Sequence, residues 1–399
     1  MQYSFDVICD RRNTSSLKWD CTEKIFNDTD ILPMWIADMD FRAPHKVIEA
    51  IRERSEHGIF GYTESLPQSY CSALIDWVAK RHEWTIKSEW LSYTPGVVPA
   101  LSAAVMAFTE PGDRVAVQSP AYPPFYTVIK NNGRQLVDSP LRLVDGHYIM
   151  DFEDLERKMK SGIEMMILCS PHNPVGRVWS REELNRLGEL CLKNNVILVS
   201  DEIHSDIVFS NYKHIPIASI SESLEHNTVT CIAASKTFGI AGLTASAAII
   251  PDFVLRERFK NKVQCMGMET GNIFGLVASE AAYRYGEEWL EQLLDYLQEN
   301  LRLLKNYFKR NIPEIKVIKP EGTYLVWLDC RQLGLNPKEL SGLMVHTAKI
   351  GLNDGATFGA GGEGFLRMNI ACPKAALMEG LRRVDRAVTI LNSGYSVSI

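Results

Sequence analysis

Lys236 lies in the run Ala233-Ala234-Ser235-Lys236-Thr237-Phe238, where an apolar stretch gives way to an Ala/Gly-rich turn. The C-terminal end of a buried strand is where α/β folds bind ligands. Partial desolvation there lowers a lysine pKa and frees its amine for Schiff-base chemistry. An ordinary surface lysine after a strand is the alternative. A second run, Ser200-Asp201-Glu202-Ile203-His204-Ser205-Asp206, follows the apolar Val196–Val199. Three readings fit it: an acidic solvated loop, a metal site that uses Asp201, His204 and Asp206 as ligands, or an acid that anchors a pyridinium nitrogen. No second His/Asp/Glu cluster at ligand spacing supports the metal, so no metal site is expected.

Other strand-end segments could add to such a site. In Cys169-Ser170-Pro171-His172-Asn173-Pro174-Val175-Gly176, prolines and a glycine fix a turn that could present the Asn173 amide to a ligand. Thr94-Pro95-Gly96-Val97-Val98-Pro99 precedes an apolar helical run, and a glycine turn that opens a helix offers backbone N–H groups to an anion. A plain helix start fits equally well. Tyr122 could stack on an aromatic ring or simply pack in the core. Arg367 sits in an apolar strand-like run; burying a guanidinium is costly unless it binds something anionic, and its fork suits a carboxylate. Gly359, Gly361 and Gly364 formally match G-x-G-x-x-G, but FLRMNIAC follows them and no βαβ unit starts there. A mobile loop is expected instead of a dinucleotide site.

These candidates need elements to position them. Strands are expected at Arg114–Gln118, Met165–Cys169, Val196–Ser200, Val229–Ala233 and Ala245–Ile250, alternating with helical patterns such as Arg181–Asn194. That alternation argues for a parallel α/β sheet, and the lack of strict polar alternation for strands covered on both faces. Leu290, Leu294, Leu297, Leu301, Leu304 and Phe308 share one face of a long helix over Glu287–Arg310. Beyond it, strands at Thr323–Leu328 and Phe365–Ala371 and helices at Pro337–Lys349 and from Ala375 suggest a second, smaller α/β unit. The first ~45 residues are expected to pack with it.

Composition sets the frame. The chain has 399 residues, 46% hydrophobic and 23% charged, with a formal net charge of −6. Such values exclude a disordered, collagenous or coiled-coil chain, and the negative field does not invite nucleic acid or anionic lipid. The N-terminal segment has no apolar h-region. The longest uncharged run, Trp90–Thr109, contains Pro95, Gly96 and Pro99, so no membrane span is expected. The nine cysteines, at 9, 21, 71, 169, 191, 231, 265, 330 and 372, are scattered without a CxxC pair and read as free thiols in a reducing cytoplasm.

In order, the chain carries GYT, TPGVV, PAYPP, SPHNPVG, SDEIH, ASKTFGIAGL and FLRMNIACP, preceded by RRNTSSLKWD at 11–20 and PMWIADMDF at 33–41. Across almost its whole length it resembles the fold-type I pyridoxal-phosphate enzymes of the aspartate aminotransferase superfamily. Within them it is most similar to the MalY/PatB group of cystathionine β-lyases, the cysteine-S-conjugate C–S lyases. The resemblance implies an α/β fold: a large domain (46–286) with a mostly parallel seven-stranded sheet between helices, and a discontinuous smaller α/β domain (1–45 plus 287–399). The cofactor would be pyridoxal 5'-phosphate. Lys236 would hold it through a Schiff base and later shuttle the substrate Cα proton. Asp201 would pair with the ring nitrogen, Asn173 would bond the ring 3-oxygen and help seat the substrate carboxylate, and Tyr122 would stack on the ring. Gly96, Val97 and Val98 would cup the phosphate, helped by the Ser235 hydroxyl. Tyr62 would reach the phosphate from the neighbouring subunit of a homodimer. Arg367 would clamp the carboxylate of a small amino-acid substrate, with Ala37 and Asp38 near the mouth.

Two positions depart from the aminotransferases. Eight residues after the lysine, where they usually have a phosphate-binding arginine, stands Thr244; and His204 replaces a tyrosine that bonds the ring oxygen. Ala233, where the superfamily often has serine, removes a further phosphate contact. The implied reaction is β-elimination of L-cystathionine or other cysteine S-conjugates to pyruvate, ammonia and a thiol, homocysteine in the case of cystathionine. An aminotransferase of the same fold, or an enzyme with an added regulatory binding role, are the alternatives.

Overall fold

The structure, a computed structural model, describes residues 2–393. Seven strands form its central sheet: β1 (Leu91–Thr94), β2 (Arg114–Val117), β3 (Gln135–Asp138), β4 (Met165–Cys169), β5 (Ile197–Asp201), β6 (Thr228–Ile232) and β7 (Ser246–Ile249), in spatial order β1-β7-β6-β5-β4-β2-β3. The pairs from β6 to β3 are parallel, and β7 runs antiparallel to both its neighbours. All five residues of β4 are buried. Met165, Ile167 and Cys169 pack into one apolar cluster while Met166 and Leu168 pack into another. Both faces are therefore covered, which is why the run shows no polar alternation.

The five strands expected for the middle of the chain are all present in this sheet, each end within one residue of its expected place. β1 and β3 went unrecognised. β1 lies in the uncharged run before a glycine turn, and β3 is an edge strand with Gln135 exposed and one residue fully buried.

Helices cover both faces. Those that bear on the site are α1 (Gln68–His82), α2 (Val97–Phe108), α3 (Arg181–Lys193), α4 (Glu287–Asn311) and α5 (Lys374–Asn392). α3 starts on a capping box in which Ser180 and Glu183 each accept the other's backbone N–H. On α4 the buried stripe is Leu290, Leu293, Leu294, Leu297, Leu304 and Phe308. Leu301, expected on that stripe, is half-buried, and Asn300 takes the buried place beside it, its Nδ2 donating to the carbonyls of Ile370 and Cys372 at 2.9 Å each.

Beyond α4, strands β8 (Lys316–Val317), β9 (Leu325–Asp329), β10 (Asn353–Asp354) and β11 (Phe365–Asn369) form an antiparallel sheet in the order β8-β9-β11-β10. The helix expected over Pro337–Lys349 is α-helical only to Gly342 and then widens through Leu343–Thr347. Widening buries Leu343, Met344 and Val345 in succession, which one face of a regular α-helix does not allow. The N-terminal segment lies against this part of the chain: Leu32–Pro33 pairs in parallel with Ile350–Gly351, and Tyr296 Oη donates to Asp6 Oδ1 at 2.6 Å. The glycine loop at 359–364 is packed, not free-standing. Tyr126 Oη donates to the Phe358 carbonyl at 2.7 Å and leaves no room for a Cβ at Gly359. Among the described residues no helix is long and apolar enough to cross a membrane.

Candidate active site

Register explains why the scattered motifs meet. Cys169 of β4 pairs with Asp201 of β5, and Asp201 with Cys231 of β6, so three parallel strands end abreast. The segments that follow are those bearing Asn173, His204 and Lys236. With the start of α2 and the turn at Ala37 they enclose a cavity of about 260 Å³. Its lining includes Ala37, Gly96, Val97, Val98, Tyr122, Asn173, Asp201, His204, Ser235 and Lys236. Thus most of the residues singled out in the sequence share one cavity at the carboxyl ends of parallel strands, where α/β sheets bind ligands.

Lys236 Nζ donates to the Ala37 carbonyl at 2.7 Å. Desolvation lowers its pKa; Asp38 opposes that, and Arg367 adds to it. Asp201 is 4% exposed and accepts from one backbone N–H, that of Ile203, at 3.1 Å. Burial pushes its carboxyl up to about 7, with Glu202 adding to the rise. His204, beside it, has an unpartnered Nδ1, and burial together with the charges of Lys236 and Arg367 drives its pKa down to about 3. The imidazole is therefore neutral. Tyr122 is pushed above its ordinary value by burial and then by Asp201, so its phenol keeps its proton.

Arg367, in the middle of β11, reaches the same place from the second sheet. Its guanidinium donates to Asn173 Oδ1 at 2.9 Å, the Trp35 carbonyl at 2.9 Å and Asn353 Oδ1 at 2.6 Å. All three acceptors are neutral, Nε has no partner, and burial lowers its pKa to about 10. A buried cation bonded only to neutral oxygens, with one donor spare, suits an incoming carboxylate.

Other expected residues fall elsewhere. Asp38 follows cavity-lining Ala37, and its Oδ2 accepts from Arg11 at 2.6 Å. Tyr62 is fully exposed and does not enter the cavity of its own chain. The triad of the metal reading does not converge: Asp206 is bonded to His82, Trp77 and Thr237, away from Asp201. Among the described residues no three of His, Cys, Asp and Glu group to hold a metal ion. Sequence reasoning missed Tyr324, whose buried hydroxyl donates to the Ala37 carbonyl at 3.2 Å, and Arg11. Tyr324 sits in an expected strand and Arg11 in the RRNTSSLKWD run, but nothing in either local pattern marks a role at the cavity.

A lysine just past one strand, a buried acid at the end of the neighbouring strand and an aromatic lining the same cavity define a pyridoxal-phosphate enzyme of fold type I. The chain belongs to the aminotransferase class I and II family, whose match spans residues 29–384. It is 48% identical over 387 residues to the cystathionine beta-lyase PatB of Bacillus subtilis (strain 168), covering 97% of this chain and 100% of that one. It is 32% identical over 388 residues to protein MalY of Escherichia coli (strain K12), covering 97% and 99%. Cystalysin from Treponema denticola, whose crystal structure contains pyridoxal 5'-phosphate, superposes with a TM-score of 0.95 at 38% identity over 98% of this chain and 100% of that one.

The residues present fit that cofactor. Asp201 is a buried carboxylate short of donors, which a ring N–H⁺ would supply. The first N–H groups of α2, at Val97 and Val98 after N-cap Gly96, have no helical partner and suit a phosphate. Lys236 is the one lysine or arginine among the residues lining the cavity, and His204 is neutral. Thr244, at the position of the usual arginine, instead accepts at Oγ1 from Asn272 Nδ2 at 3.0 Å.

Proposed function

We propose that this protein cleaves L-cystathionine and related cysteine S-conjugates by β-elimination, taking up one water and releasing pyruvate, ammonia and a thiol. The observation that carries the reading is the convergence of Lys236, Asp201 and Asn173 on one cavity, with Arg367 of the second sheet bonded to Asn173 at its edge. Bound there, pyridoxal phosphate supplies an electron sink that stabilises negative charge at the substrate Cα. Arg367 takes the substrate carboxylate, and Asn173, already bonded to it, fixes the angle of approach. Lys236 is the base. Desolvation lowers its pKa, so Nζ gives up its own proton more readily and is placed to accept the Cα proton. Asp201 would stay ionised against the ring nitrogen and keep that nitrogen protonated. Tyr122 would pack over the ring, and Gly96, Val97, Val98 and Ser235 would seat the phosphate. His204, held neutral, adds no charge that would compete with Asp201.

The wider arrangement follows from the same reading. The large domain is taken as 46–286 and the small domain as 1–45 with 287–399, with Arg367 reaching across from the small one. The active form is a homodimer in which Tyr62 of one subunit bonds the phosphate held by the other. Nine free thiols accord with a cytoplasmic setting.

The test is a thiol and pyruvate assay on L-cystathionine with pyridoxal phosphate and no keto acid. Equal amounts of homocysteine and pyruvate are expected. Turnover only after a keto acid and an amino donor are added would move the protein to the aminotransferases. Lys236→Ala is expected to abolish both products.

A further inference from the structure

Among the buried acids that the mechanism does not use, one is bonded to the residue next to Lys236. Asp206, 5% exposed, follows Asp201 on the loop beyond β5. Its Oδ1 accepts from Trp77 Nε1 at 3.1 Å and lies 3.0 Å from His82 Nε2, both on α1, while Oδ2 accepts from Thr237 Oγ1 at 2.7 Å. Burying a carboxylate costs several kcal/mol unless its lone pairs are filled. Here they are filled from two places only, one helix and the residue directly after Lys236.

That residue sits on a weak element. Ala234–Thr237 is a four-residue turn whose N-cap, Ala233, brings no capping side chain. An isolated turn of that length does not hold itself. Yet its backbone decides how far Nζ of Lys236 reaches, and the base must keep that reach while its amine changes partners.

We propose that Asp206 is the positioning residue for Lys236, pinning the lysine's turn to α1 through Thr237. The proposal rests on Lys236 being the cofactor-holding base. Trp77 and His82 set the plane of the carboxylate so that Oδ2 faces the turn. Burial alone would raise the Asp206 pKa, but the bonds and charge from His82, with the Thr237 bond and Arg81, outweigh it and keep the carboxyl below its ordinary value. The pair is boxed in: Arg81 of α1 donates to the Asp206 carbonyl at 3.4 Å, buried Tyr283 feels the Asp206 charge, and the His82 ring meets His214, itself bonded to Glu202 at 2.8 Å. On the far side Lys236 feels Asp38, Arg367 and Asp201, and His204 feels Lys236 in turn. Asp206 thus acts on Lys236 through the backbone, while burial, Asp38, Arg367 and Asp201 set the lysine's own charge.

Thr237→Val removes the hydroxyl and keeps the shape; Thr237→Ser restores it. In the cofactor-loaded protein the valine variant is expected to lose roughly ten- to a hundredfold in kcat with KM within about twofold. The pH midpoint of the visible absorbance given by the lysine–cofactor linkage is expected to shift, and the serine variant to recover both values. A valine variant with wild-type kcat and midpoint, differing only in thermal stability, would overturn the proposal. If it does not fold, Asp206→Asn and His82→Gln are read the same way, and an unshifted midpoint in either sinks it. The midpoint needs cofactor but no substrate. A wild-type protein that releases no thiol would therefore strike the lyase reading and leave this one open to its own test.

Discussion

Asp201 carries a prediction whose sign follows from its burial. Its carboxyl stands at about 7 in the folded chain, against about 3.9 for a free aspartate. Between those values the folded apoprotein holds a proton that the unfolded chain has lost, so its stability falls as pH climbs from about 4 to about 7 and is level beyond. A protonated ring nitrogen beside the carboxylate removes that penalty. The gap in thermal midpoint between cofactor-loaded and cofactor-free protein is therefore expected to widen from pH 5 to pH 7.5. Asp201→Asn, which has no charge to bury, is expected to keep the gap level. Equal widening in the Asn variant would show that the group responsible is not Asp201. At this scale the sequence was informative where a residue type follows a strand end. Lys236, Asp201 and Asn173 stood out there as candidates with plain structural alternatives, and Arg367 by its cost in an apolar strand; their roles came only with the order of the motifs. Asp206 was visible only as one of several acids, because its partners His82 and Thr237 lie 124 and 31 residues away along the chain.

Elements succeed or fail on what anchors their connections. The loop that presents Asn173 closes at Gly176, which has φ +74° and accepts at its carbonyl from the N–H of Glu321 at 2.7 Å. A Cβ there would lie 2.7 Å from Pro320 Cβ and 2.9 Å from Pro320 Cα. Beside it, buried Arg177 bonds Glu321 Oε2 at 2.9 Å and Glu183 Oε2 at 2.7 Å, tying the loop to the entry of β9 and to α3. Gly176→Ala meets both a left-handed backbone and a backbone clash, so a loss of about 2–4 kcal/mol is expected from urea unfolding. Cofactor affinity should fall with it, since Asn173 moves with the loop. An alanine variant of wild-type stability would mean that the 320–322 segment yields freely. Element type was legible wherever apolar runs were long. Where pairing rather than composition makes the strand, as at β3 and the two-residue strands, nothing local could reveal it.

At the scale of the whole molecule, the proposed homodimer would complete the cavity with a residue from a second copy. The segment just before α1 exposes Ile59 at 68%, Phe60 at 57% and Tyr62 at 100%, although apolar residues this close together rarely stand in water without a partner surface. Meanwhile the phosphate end of the cavity has helix N–H groups and Ser235, and Thr244 in place of the usual arginine. A second copy would cover the apolar segment and bring a phenol to the phosphate at once. Mixed dimers test this. Lys236→Ala subunits lack the base, and Tyr62→Ala subunits lack the phenol. If Tyr62 acts across the interface, a hybrid holds one site with Lys236 from one subunit and Tyr62 from the other. Random reassortment makes about half of the dimers hybrid with one of two sites intact, so about a quarter of wild-type turnover should return. If Tyr62 served its own chain, every site with Lys236 would still lack the phenol, and mixing would add nothing to the Tyr62→Ala activity. With an affinity tag on one variant only, recovery of the untagged variant on the tag resin shows that hybrids have formed, so an absence of recovered activity then counts against the shared site and not against the exchange of subunits.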